Sequence, residues 1–218
     1  MPRYLTDQDI ADFRTELCKV ATERFAKYGY EGVTMRQLAD ALGCSPKTPY
    51  RYFKDKADIL ATVRAQAFAK FAEALEKAAA GEKDPAVRGR LTSEAYLAFA
   101  LKNPHAYRIM FEIDAPVDEK HPELGPAAEH AARYITRGAE ELAAAGVINV
   151  DPKLFGWTMW AGMHGIVSLH QSGMLGHGPD YKSMSYFLGL MMLKGAGAKF
   201  DGSGKVVAAK GTSKGKKK

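Results

Sequence analysis

Apolar residues recur along most of the chain at the three- and four-residue spacing of an amphipathic helix. The first such stretch follows Thr6, a residue type that caps helices, and it stops at Gly29, a residue type that ends them. We find no alternating strand patterns bounded by Asn-Gly or Asp-Gly turns. The pattern therefore predicts an all-α protein that opens with a long helix. The apolar positions of this first helix are Ile10, Phe13, Leu17, Ala21, Phe25 and Tyr28.

Two short helices are predicted next, in close succession. Thr34 with Gln37 three residues later is the capping-box pattern, and it predicts a second helix of about 9 residues that ends at Gly43. The dipeptide Ser45-Pro46 is typical of a cap and a first helical position, so we expect a third helix that runs to about Phe53. Two short helices joined by a tight glycine-containing turn form the helix-turn-helix pattern, whose second helix can enter the major groove of DNA.

Six more helices are predicted in the rest of the chain. One long helix follows Asp55 and ends near Gly81. Three others begin where a capping side chain precedes a proline, because that pair favours a helix start. These starts are Asp84-Pro85, Asn103-Pro104 and Asp151-Pro152, and the last two helices span about 126–146 and 180–193. We therefore expect about nine helices and no sheet, with a helix-turn-helix domain at residues 1–55 and a second helical domain at residues 56–195.

The net charge of +6 is concentrated at the C-terminal end of the chain. Residues 1–60 carry +1, residues 61–193 carry −2 and residues 194–218 carry +7, so overall basicity does not argue for nucleic-acid binding by the folded part. Residues 196–218 repeat Gly and Lys and have little apolar surface to bury, and we expect them to be a disordered basic tail. Locally, however, residues 35–56 hold five basic and two acidic side chains.

Composition indicates an ordinary cytoplasmic globular protein. The chain has 218 residues, of which 46% are hydrophobic and 26% charged, and this excludes fibrous and wholly disordered classes. Cys18 and Cys44 cannot form a disulfide framework, and the N-terminus lacks the apolar run of a signal peptide. Residues 154–179 hold no Asp, Glu, Lys or Arg, but their histidines and glycines suit a buried helix or a subunit interface better than a membrane span.

Residues 45–56 carry the densest chemistry, because basic and aromatic side chains are interleaved there. Basic side chains neutralise phosphates, and hydroxyls and the free amides of a helix start donate further hydrogen bonds to them. The alternative interpretation is a solvated surface helix whose charges bind nothing. The basic residues are Lys47, Arg51, Lys54 and Lys56, and the aromatic ones are Tyr50, Tyr52 and Phe53.

The stretch GVTMRQLADALGCSPKTPYRYFKDKADIL resembles the N-terminal DNA-binding domain of the tetracycline-repressor (TetR) family of transcriptional regulators. The similarity extends from about Asp9 to Leu60. It implies that the helix pair reads double-stranded DNA and that the other helices form a ligand-binding and dimerisation domain. It also implies a homodimer that responds to a small-molecule effector, with repression as the default mode of action.

Carried over position by position, the resemblance implies several contacts with DNA. Thr34 matches a hydroxyl that caps the second helix and touches a phosphate, whereas Lys47 and Thr48 match residues that face the groove. Phe53 matches a core position. With neighbours that can reach bases or phosphates included, the candidate DNA-binding residues are Thr34, Arg36, Gln37, Ser45, Lys47, Thr48, Tyr50, Arg51, Tyr52, Lys54 and Lys56.

Pro49 departs from the family pattern, in which an aliphatic residue is more usual at this position. Its ring removes an amide donor and disfavours helical angles at Thr48. Two geometries stay open. The helix can start at Ser45 with a distorted first turn, or it can start at Pro49 with Thr48 as its cap.

Residues 101–111 and 160–169 resemble a C-terminal regulatory domain of some family members that carries a Trp, His-Gly signature. Their aromatic, Met and His side chains are candidates for the lining of an apolar effector cavity with a few polar groups. The same side chains could equally form ordinary core. The candidate ligand-binding residues are Phe99, Tyr107, Met110, Phe111, Trp157, Trp160, Met163 and His164.

The uncharged helix after Asp151 and the last helix are expected to form the dimer interface as a four-helix bundle. The candidate interface residues are Leu169, Leu188, Met191 and Met192. The sequence shows no H-E-x-x-H, C-x-x-C or G-x-S-x-G motif, so we expect no enzyme activity, no metal and no cofactor. Two other classes stay open, a protein that coats DNA without sequence preference and a helical small-molecule carrier or enzyme.

Overall fold

A computed structural model describes residues 6–111 and 121–207 of the chain. It has two compact units, which we call the first unit (Met1–Ala72 and Lys102–Ala131) and the second unit (Glu73–Leu101 and Ala132–Lys218). Most of the described chain is helical, and the all-α prediction is confirmed. In the described residues the helices are α1 (Asp7–Tyr28), α2 (Met35–Ala41), α3 (Lys56–Ala79), α4 (Pro85–Lys102), α5 (Pro104–Phe111), α6 (Leu124–Ala144), α7 (Pro152–Gln171) and α8 (Tyr181–Gly195).

The first unit is built around the amphipathic face of α1. Thr6 accepts a hydrogen bond from the backbone N–H of Asp9 at 3.1 Å, and the Asp9 carboxylate accepts one from the Thr6 backbone, which completes a capping box. Gly29 ends the helix with a φ of 73°, in the left-handed region that glycine adopts without a steric penalty. The buried face of α1 packs with α2 and α3 in one apolar core, whose largest fully buried side chains include Phe25, Leu17, Leu38, Ile59 and Leu60.

The three predicted proline starts are confirmed. α4 begins at Pro85, α5 at Pro104 and α7 at Pro152. The capping carboxylates act as expected, because Asp84 Oδ1 accepts the N–H of Ala86 at 2.8 Å and Asp151 Oδ1 accepts that of Leu154 at 2.6 Å. Proline has no N–H to leave unpaired at this position, so each pair stops the preceding segment and starts the helix.

The second unit has a core of its own, formed by α6, α7 and the chain on either side of Gly146. A Cβ atom at Gly156 would collide with the carbonyl oxygen of Ile135, so the absence of a side chain lets α7 approach the α6 backbone closely. The buried apolar residues of this core are Ala139, Leu142, Val147, Ile148, Phe155 and Ala196.

The structure differs from the sequence predictions in two elements. The third of the predicted helices is reduced to one turn of 3-10 helix at Pro49–Arg51. Residues 196–207, which we expected to belong to a disordered tail, follow the end of α8 and form a hairpin in which β1 (Lys199–Phe200) pairs antiparallel with β2 (Val206–Val207). The remaining tail residues, 208–218, lie outside the described residues.

Hydrogen bonds to Asp201 stabilise the loop of the hairpin, and the packing of Val206 stabilises one of its strands. The Asp201 carboxylate accepts hydrogen bonds from the Ser203 hydroxyl and from the backbone N–H groups of Ser203 and Lys205, and these bonds lower the pKa of that carboxyl. Val206 packs against the apolar core of the second unit. In the part of the chain that the structure describes, no helix combines the length and the apolar character needed to cross a bilayer.

Candidate nucleic-acid interface and cavity

α2 is short because its two end signals lie close together. Thr34 Oγ1 accepts the N–H of Gln37 at 3.2 Å, and Gln37 Oε1 accepts the N–H of Thr34 at 2.8 Å, so the predicted capping box is present. Gly43 has a φ of 65° and reverses the chain after the helix. Leu38 is fully buried, whereas Thr34, Arg36 and Gln37 are exposed.

Residues 45–53 follow α2 as a succession of tight turns. The N–H of Thr48 donates to the Ser45 carbonyl at 2.8 Å, the N–H of Arg51 to the Thr48 carbonyl at 3.0 Å, and the N–H of Phe53 to the Pro49 carbonyl at 3.0 Å. Each bond closes one turn and the segment never becomes a regular α-helix. The candidate recognition element is therefore a compact coil of turns.

Pro49 explains this geometry. The helical turn starts at Pro49, as one of the two predicted geometries has it. Thr48, however, keeps helical angles, with a φ of −61° and a ψ of −46°, and its side chain makes no capping hydrogen bond. A residue before proline normally avoids these angles. Pro49 is fully buried, and Phe53 is buried in the core of the first unit, which favours the tight arrangement.

The 45–53 segment and Lys54 present their polar side chains to solvent. Tyr50 is 56% exposed. Thr48 is half-buried. Buried Pro49 and Phe53 anchor the segment from inside, so the exposed side chains are held on a fixed support. The remaining predicted contacts of this segment that are exposed are Ser45, Lys47, Arg51 and Lys54.

Tyr52 is placed differently from Tyr50. Its ring stacks on Phe13 of α1, with 4.3 Å between the ring centroids, and it is only half-buried. Its carbonyl oxygen accepts a hydrogen bond from Arg14 Nη1. The ring therefore contributes to packing, and the hydroxyl is the part of this side chain that a phosphate can approach.

Lys56 opens α3, and its ammonium group already has partners inside the first unit. Nζ donates to the Tyr30 carbonyl at 2.8 Å and lies 3.9 Å from the centroid of the Tyr30 ring. The Glu31 carboxylate is 3.8 Å away and well exposed. Two N–H donors of the ammonium remain for other acceptors, so internal anchoring and a phosphate contact are compatible.

Arg14 supports the site, and the sequence interpretation missed it. Its guanidinium lies 4.1 Å from the centroid of the Phe53 ring and also donates to the Tyr52 carbonyl. The side chain thus connects α1 to the end of the 45–53 segment. An arginine on a helix that carries several other charges gives no sequence signal for this role.

A second missed connection joins the segment just before α6 to the same region. The carboxylate of Asp58 accepts the backbone N–H of Lys54 at 2.8 Å and lies 3.4 Å from His121 Nε2. The Thr62 hydroxyl lies 3.4 Å from the same nitrogen, while His121 Nδ1 accepts the N–H of Glu123 at 3.4 Å. Because Nδ1 accepts the N–H of Glu123, Nε2 is the ring nitrogen that can donate to Asp58. These contacts fix the backbone just after the exposed turn.

The predicted ligand-binding residues fall into both units. Tyr107 and Met110 are buried and Phe111 is half-buried in the first unit, where the Phe111 ring lies edge-on to Tyr107 at 5.0 Å between centroids. The other five lie in the second unit. There Phe99 and Met163 are buried, Trp157 is 44% exposed, and Trp160 stacks on His164 at 5.6 Å between centroids.

The second unit contains a cavity of about 930 Å³. Its walls come from the C-terminal end of α3, from α4, α6, α7 and α8, and from the hairpin. Met163 is the one predicted ligand-binding residue in this lining. Apolar side chains including Leu97, Leu142, Phe155 and Met159 form much of the surface, which suits a largely apolar small molecule.

Polar groups of the same cavity occur in two clusters that the sequence interpretation did not identify. Arg88 Nε lies 3.0 Å from the Glu141 carboxylate, which also accepts from Arg137 Nε at 3.2 Å. The Tyr134 hydroxyl donates to Glu76 at 2.6 Å. Burial, together with this bond and the charge of Glu76, raises the pKa of Tyr134 to about 12, so the phenol stays protonated at neutral pH.

α8 leaves a row of apolar side chains in solvent. None of its residues is buried, and Phe187 and Met191 are 62% and 51% exposed. Of the predicted interface residues, Leu169 of α7 is also exposed, whereas Leu188 and Met192 are half-buried. Apolar surface of this extent on one helix is typical of a protein interface.

Among residues 6–111 and 121–207, no group of three or more His, Cys, Asp or Glu side chains is arranged to hold a metal ion.

The fold and the exposed turn define a helical protein with a cationic helix-turn-helix surface in one unit and an apolar cavity in the other.

Comparisons with known proteins identify the family. Residues 17–63 match the family described as bacterial regulatory proteins, tetR family, and residues 90–187 match the tetracyclin repressor-like C-terminal domain. The chain therefore belongs to the tetracycline-repressor family of bacterial regulatory proteins, as the sequence resemblance implied.

Two curated relatives and one solved structure show how far the similarity reaches. The chain is 36% identical over 69 residues to the HTH-type transcriptional regulator TcmR of Streptomyces glaucescens, which is 32% of this chain and 30% of that protein. It is 28% identical over 101 residues to the HTH-type transcriptional activator FasR of Mycolicibacterium smegmatis, which is 46% of each. The matches thus span less than half of either relative.

The crystal structure of the TetR family transcriptional regulator PfmR from Thermus thermophilus has the same fold. It superposes with a TM-score of 0.66 at 22% identity, over 82% of this chain and 97% of that chain.

Proposed function

We propose that this chain is a ligand-responsive transcriptional regulator that binds a pseudo-palindromic operator as a homodimer. The observation that carries the proposal is the outward presentation of Lys47, Tyr50 and Arg51 on a turn anchored from inside by Pro49 and Phe53. Exposed cations on a rigid support are what phosphate contacts and groove contacts both need.

The proposed contacts divide by chemistry. Hydroxyls and ammonium groups donate to phosphate oxygens, so the proposed phosphate contacts are Thr34, Tyr50, Tyr52, Lys54 and Lys56. The other proposed contacts can reach base edges or phosphates, and they are Arg36, Gln37, Ser45, Lys47, Thr48 and Arg51. A single turn of this size offers few base contacts, so the sequence specificity of one protomer is low.

A homodimer compensates for this limit. Two copies on one scaffold bind two half-sites, and the second contact then forms at a high effective concentration. The exposed apolar residues of α8, together with Leu169 of α7, are the surface that supports pairing. Removal of such a surface from water favours association by roughly 25 cal/mol per Å² before association costs.

The ligand response follows from the cavity of the second unit. A bound molecule shifts DNA affinity only by its differential affinity for the two states of the protein, which typically amounts to ~1–3 kcal/mol. α3 supplies residues to both units and is the proposed lever of this coupling. Because a bacterial operator lies in the cytoplasm, we also place the protein there, as a regulator without enzyme activity.

The test is selection of genomic fragments with the purified protein, followed by footprinting and affinity measurement on the recovered site. We expect protection of two half-sites in successive major grooves. Tyr50→Ala should weaken binding to this site while helicity and dimer mass stay unchanged. Tyr28→Ala is the matched control, because Tyr28 is 52% exposed in the same unit but lies outside the proposed contacts. Equal binding by wild type and Tyr50→Ala would remove Tyr50 from the interface.

A second variant separates this proposal from a protein that coats DNA without sequence preference. Residues 208–218 contain five lysines. Their removal should weaken binding and reduce its salt dependence, because each released counterion contributes to the salt slope. Preference for the selected site should remain. Complete loss of binding, or loss of the preference, would favour the coating protein.

A further inference from the structure

Of the four cavity-wall glycines that lie inside helices, where glycine is the least favourable residue apart from proline, three have open space at the Cβ position. They are Gly89 in α4, Gly138 in α6 and Gly189 in α8. A Cβ atom built at any of the three would meet no other atom within 4 Å, and none of them has a positive φ. Neither packing nor backbone conformation therefore requires glycine at these positions.

Two other glycines of the second unit show the contrast. A Cβ atom at Gly156 would collide with the Ile135 carbonyl, and one at Gly162 would come within 2.6 Å of the Leu188 side chain. Packing within the protein explains those two. What Gly89, Gly138 and Gly189 provide is additional empty space in the cavity.

One wall of the cavity carries a positive group that is only partly compensated. Arg88 shares the carboxylate of Glu141 with Arg137, so this carboxylate is divided between two guanidinium groups, of which Arg137 is 56% exposed and Arg88 only 27%. Arg88 Nε is buried and lies 3.0 Å from Glu141 Oε2. The two groups are not oriented for a hydrogen bond, so this N–H has no acceptor among the described residues. A buried donor without an acceptor is unfavourable, and an anion at this point would relieve it.

The other carboxylates of the lining do not cancel this charge. Glu76 accepts the Tyr134 hydroxyl, and Glu94 is bonded to Arg90 at 2.7 Å. Glu82 and Asp84 accept backbone N–H groups at the start of α4. Glu76, Asp84 and Glu94 are exposed, so water screens them, whereas Arg88 and Glu141 are half-buried.

We propose that the cavity binds an amphiphile with an apolar body and a single anionic end group such as a carboxylate. Arg88 binds the anion through its guanidinium, and the body lies along Leu97, Phe155, Met159 and Met163, in the room that the three glycines leave. Methionine side chains adapt to irregular apolar shapes, which suits this wall. The identification of this amphiphile as the effector rests on the proposed function.

Two fluorescent probes of matched shape test the charge requirement. 1-Anilinonaphthalene-8-sulfonate has an apolar body with one anionic group, and N-phenyl-1-naphthylamine is the same ring system without it. We expect saturable binding of both to the wild-type protein. Arg88→Met should weaken sulfonate binding at least about 10-fold, because a charge-assisted hydrogen bond is lost. Binding of the neutral probe should change less than about twofold, and Arg88→Lys should restore part of the sulfonate affinity, because the charge is kept.

Glycine substitutions test where the probes bind. Gly138→Ala and Gly189→Ala should weaken both probes at least about threefold while raising the thermal midpoint, because alanine favours the helix and its methyl group occupies the cavity. Gly165→Ala is the matched control. Gly165 is a helical glycine of α7 with open space around it and no place in the lining, so the midpoint should rise without loss of either probe.

Several results would overturn the inference. No saturable sulfonate binding by the wild type would do so, as would equal effects of Arg88→Met on the two probes. Unchanged affinities in Gly138→Ala and Gly189→Ala would place the probes on the exposed face of α8. Selection of genomic fragments with the same wild-type protein tests the proposed function separately, because the probe assays contain no DNA. Specific DNA binding with a failed probe pattern refutes the amphiphile alone, and the reverse result refutes the regulator alone.

Discussion

Lys54 and Lys56 have the same side chain but different surroundings, so their substitution by methionine should separate DNA binding from stability. Lys54 is exposed, and its hydrogen bond to another described residue comes from its backbone N–H, which donates to the Asp58 carboxylate. The Lys56 side chain is 21% exposed, and its ammonium donates to the Tyr30 carbonyl over the Tyr30 ring. Methionine keeps most of the length of the lysine side chain and removes its charge.

The structure sets the expected loss of stability for Lys56→Met. A hydrogen bond from a charged donor contributes about 1.5–3 kcal/mol, and a cation over an aromatic face about 0.5–1 kcal/mol at an exposed site. The Glu31 carboxylate is 87% exposed, so the ion pair with it adds little. Because Lys56 is partly exposed, we take the low end of both ranges and expect a loss of about 2 kcal/mol. At ~2–4 °C per kcal/mol for a chain of this size, the thermal midpoint should fall by ~4–8 °C.

The two variants should behave alike on DNA. Each removes one proposed phosphate contact, so the slope of log affinity against log salt concentration should fall by ~0.9 in both. Affinity measured at four or more salt concentrations, together with thermal denaturation followed by circular dichroism, gives both quantities. Lys54→Met should keep the wild-type midpoint. An unchanged midpoint in Lys56→Met, or an unchanged salt slope in either variant, would refute the reasoning for that lysine.

The remaining predictions concern the core of the first unit. Thr34→Ala removes the cap of α2 and should lower the free energy of unfolding by about 1 kcal/mol in urea titrations, whereas Thr15→Ala on the exposed face of α1 should not lower it, because alanine favours a helix interior. Cys44 should react with iodoacetamide at pH 8 in the folded protein, and Cys18 only after unfolding, because burial raises the pKa of the Cys18 thiol to about 11. Since the pKa of the Cys18 thiol in the folded protein lies above its ordinary value of 9.0, the stabilisation from the buried thiol is complete below pH 9 and is lost as the pH rises through about 11. A free energy of unfolding that stays constant from pH 8 to 11 would contradict this assignment.

Local signals were enough to predict most helix starts. Thr34 with Gln37, and the acid-proline pairs at Asp84 and Asp151, act through hydrogen bonds within three residues, so no tertiary information is needed to find them. The third helix could not be predicted in the same way. Its geometry depends on whether the Pro49 ring is buried, and that is decided by the core of the first unit.

The hairpin and the cavity show a second limit of sequence interpretation. Asp201 and Val206 lie in a Gly- and Lys-rich stretch whose composition suggests disorder, and the core that Val206 packs against is formed by distant residues. The Arg88, Glu141 and Arg137 cluster joins α4 to α6 across about fifty residues of sequence. No short-range spacing in the sequence predicts such a cluster. The resemblance to the tetracycline-repressor family, by contrast, lies in one contiguous stretch, from about Asp9 to Leu60.

The 45–53 segment divides its residues between two tasks that do not overlap. Pro49 and Phe53 face inward and hold the turn, while Lys47, Tyr50 and Arg51 face outward and are free of the core. Mutational drift at the outward positions therefore has little thermodynamic consequence for the monomer. A descendant of this gene can acquire a new binding site on DNA by exchanging a few surface side chains, and its folding need not evolve in parallel.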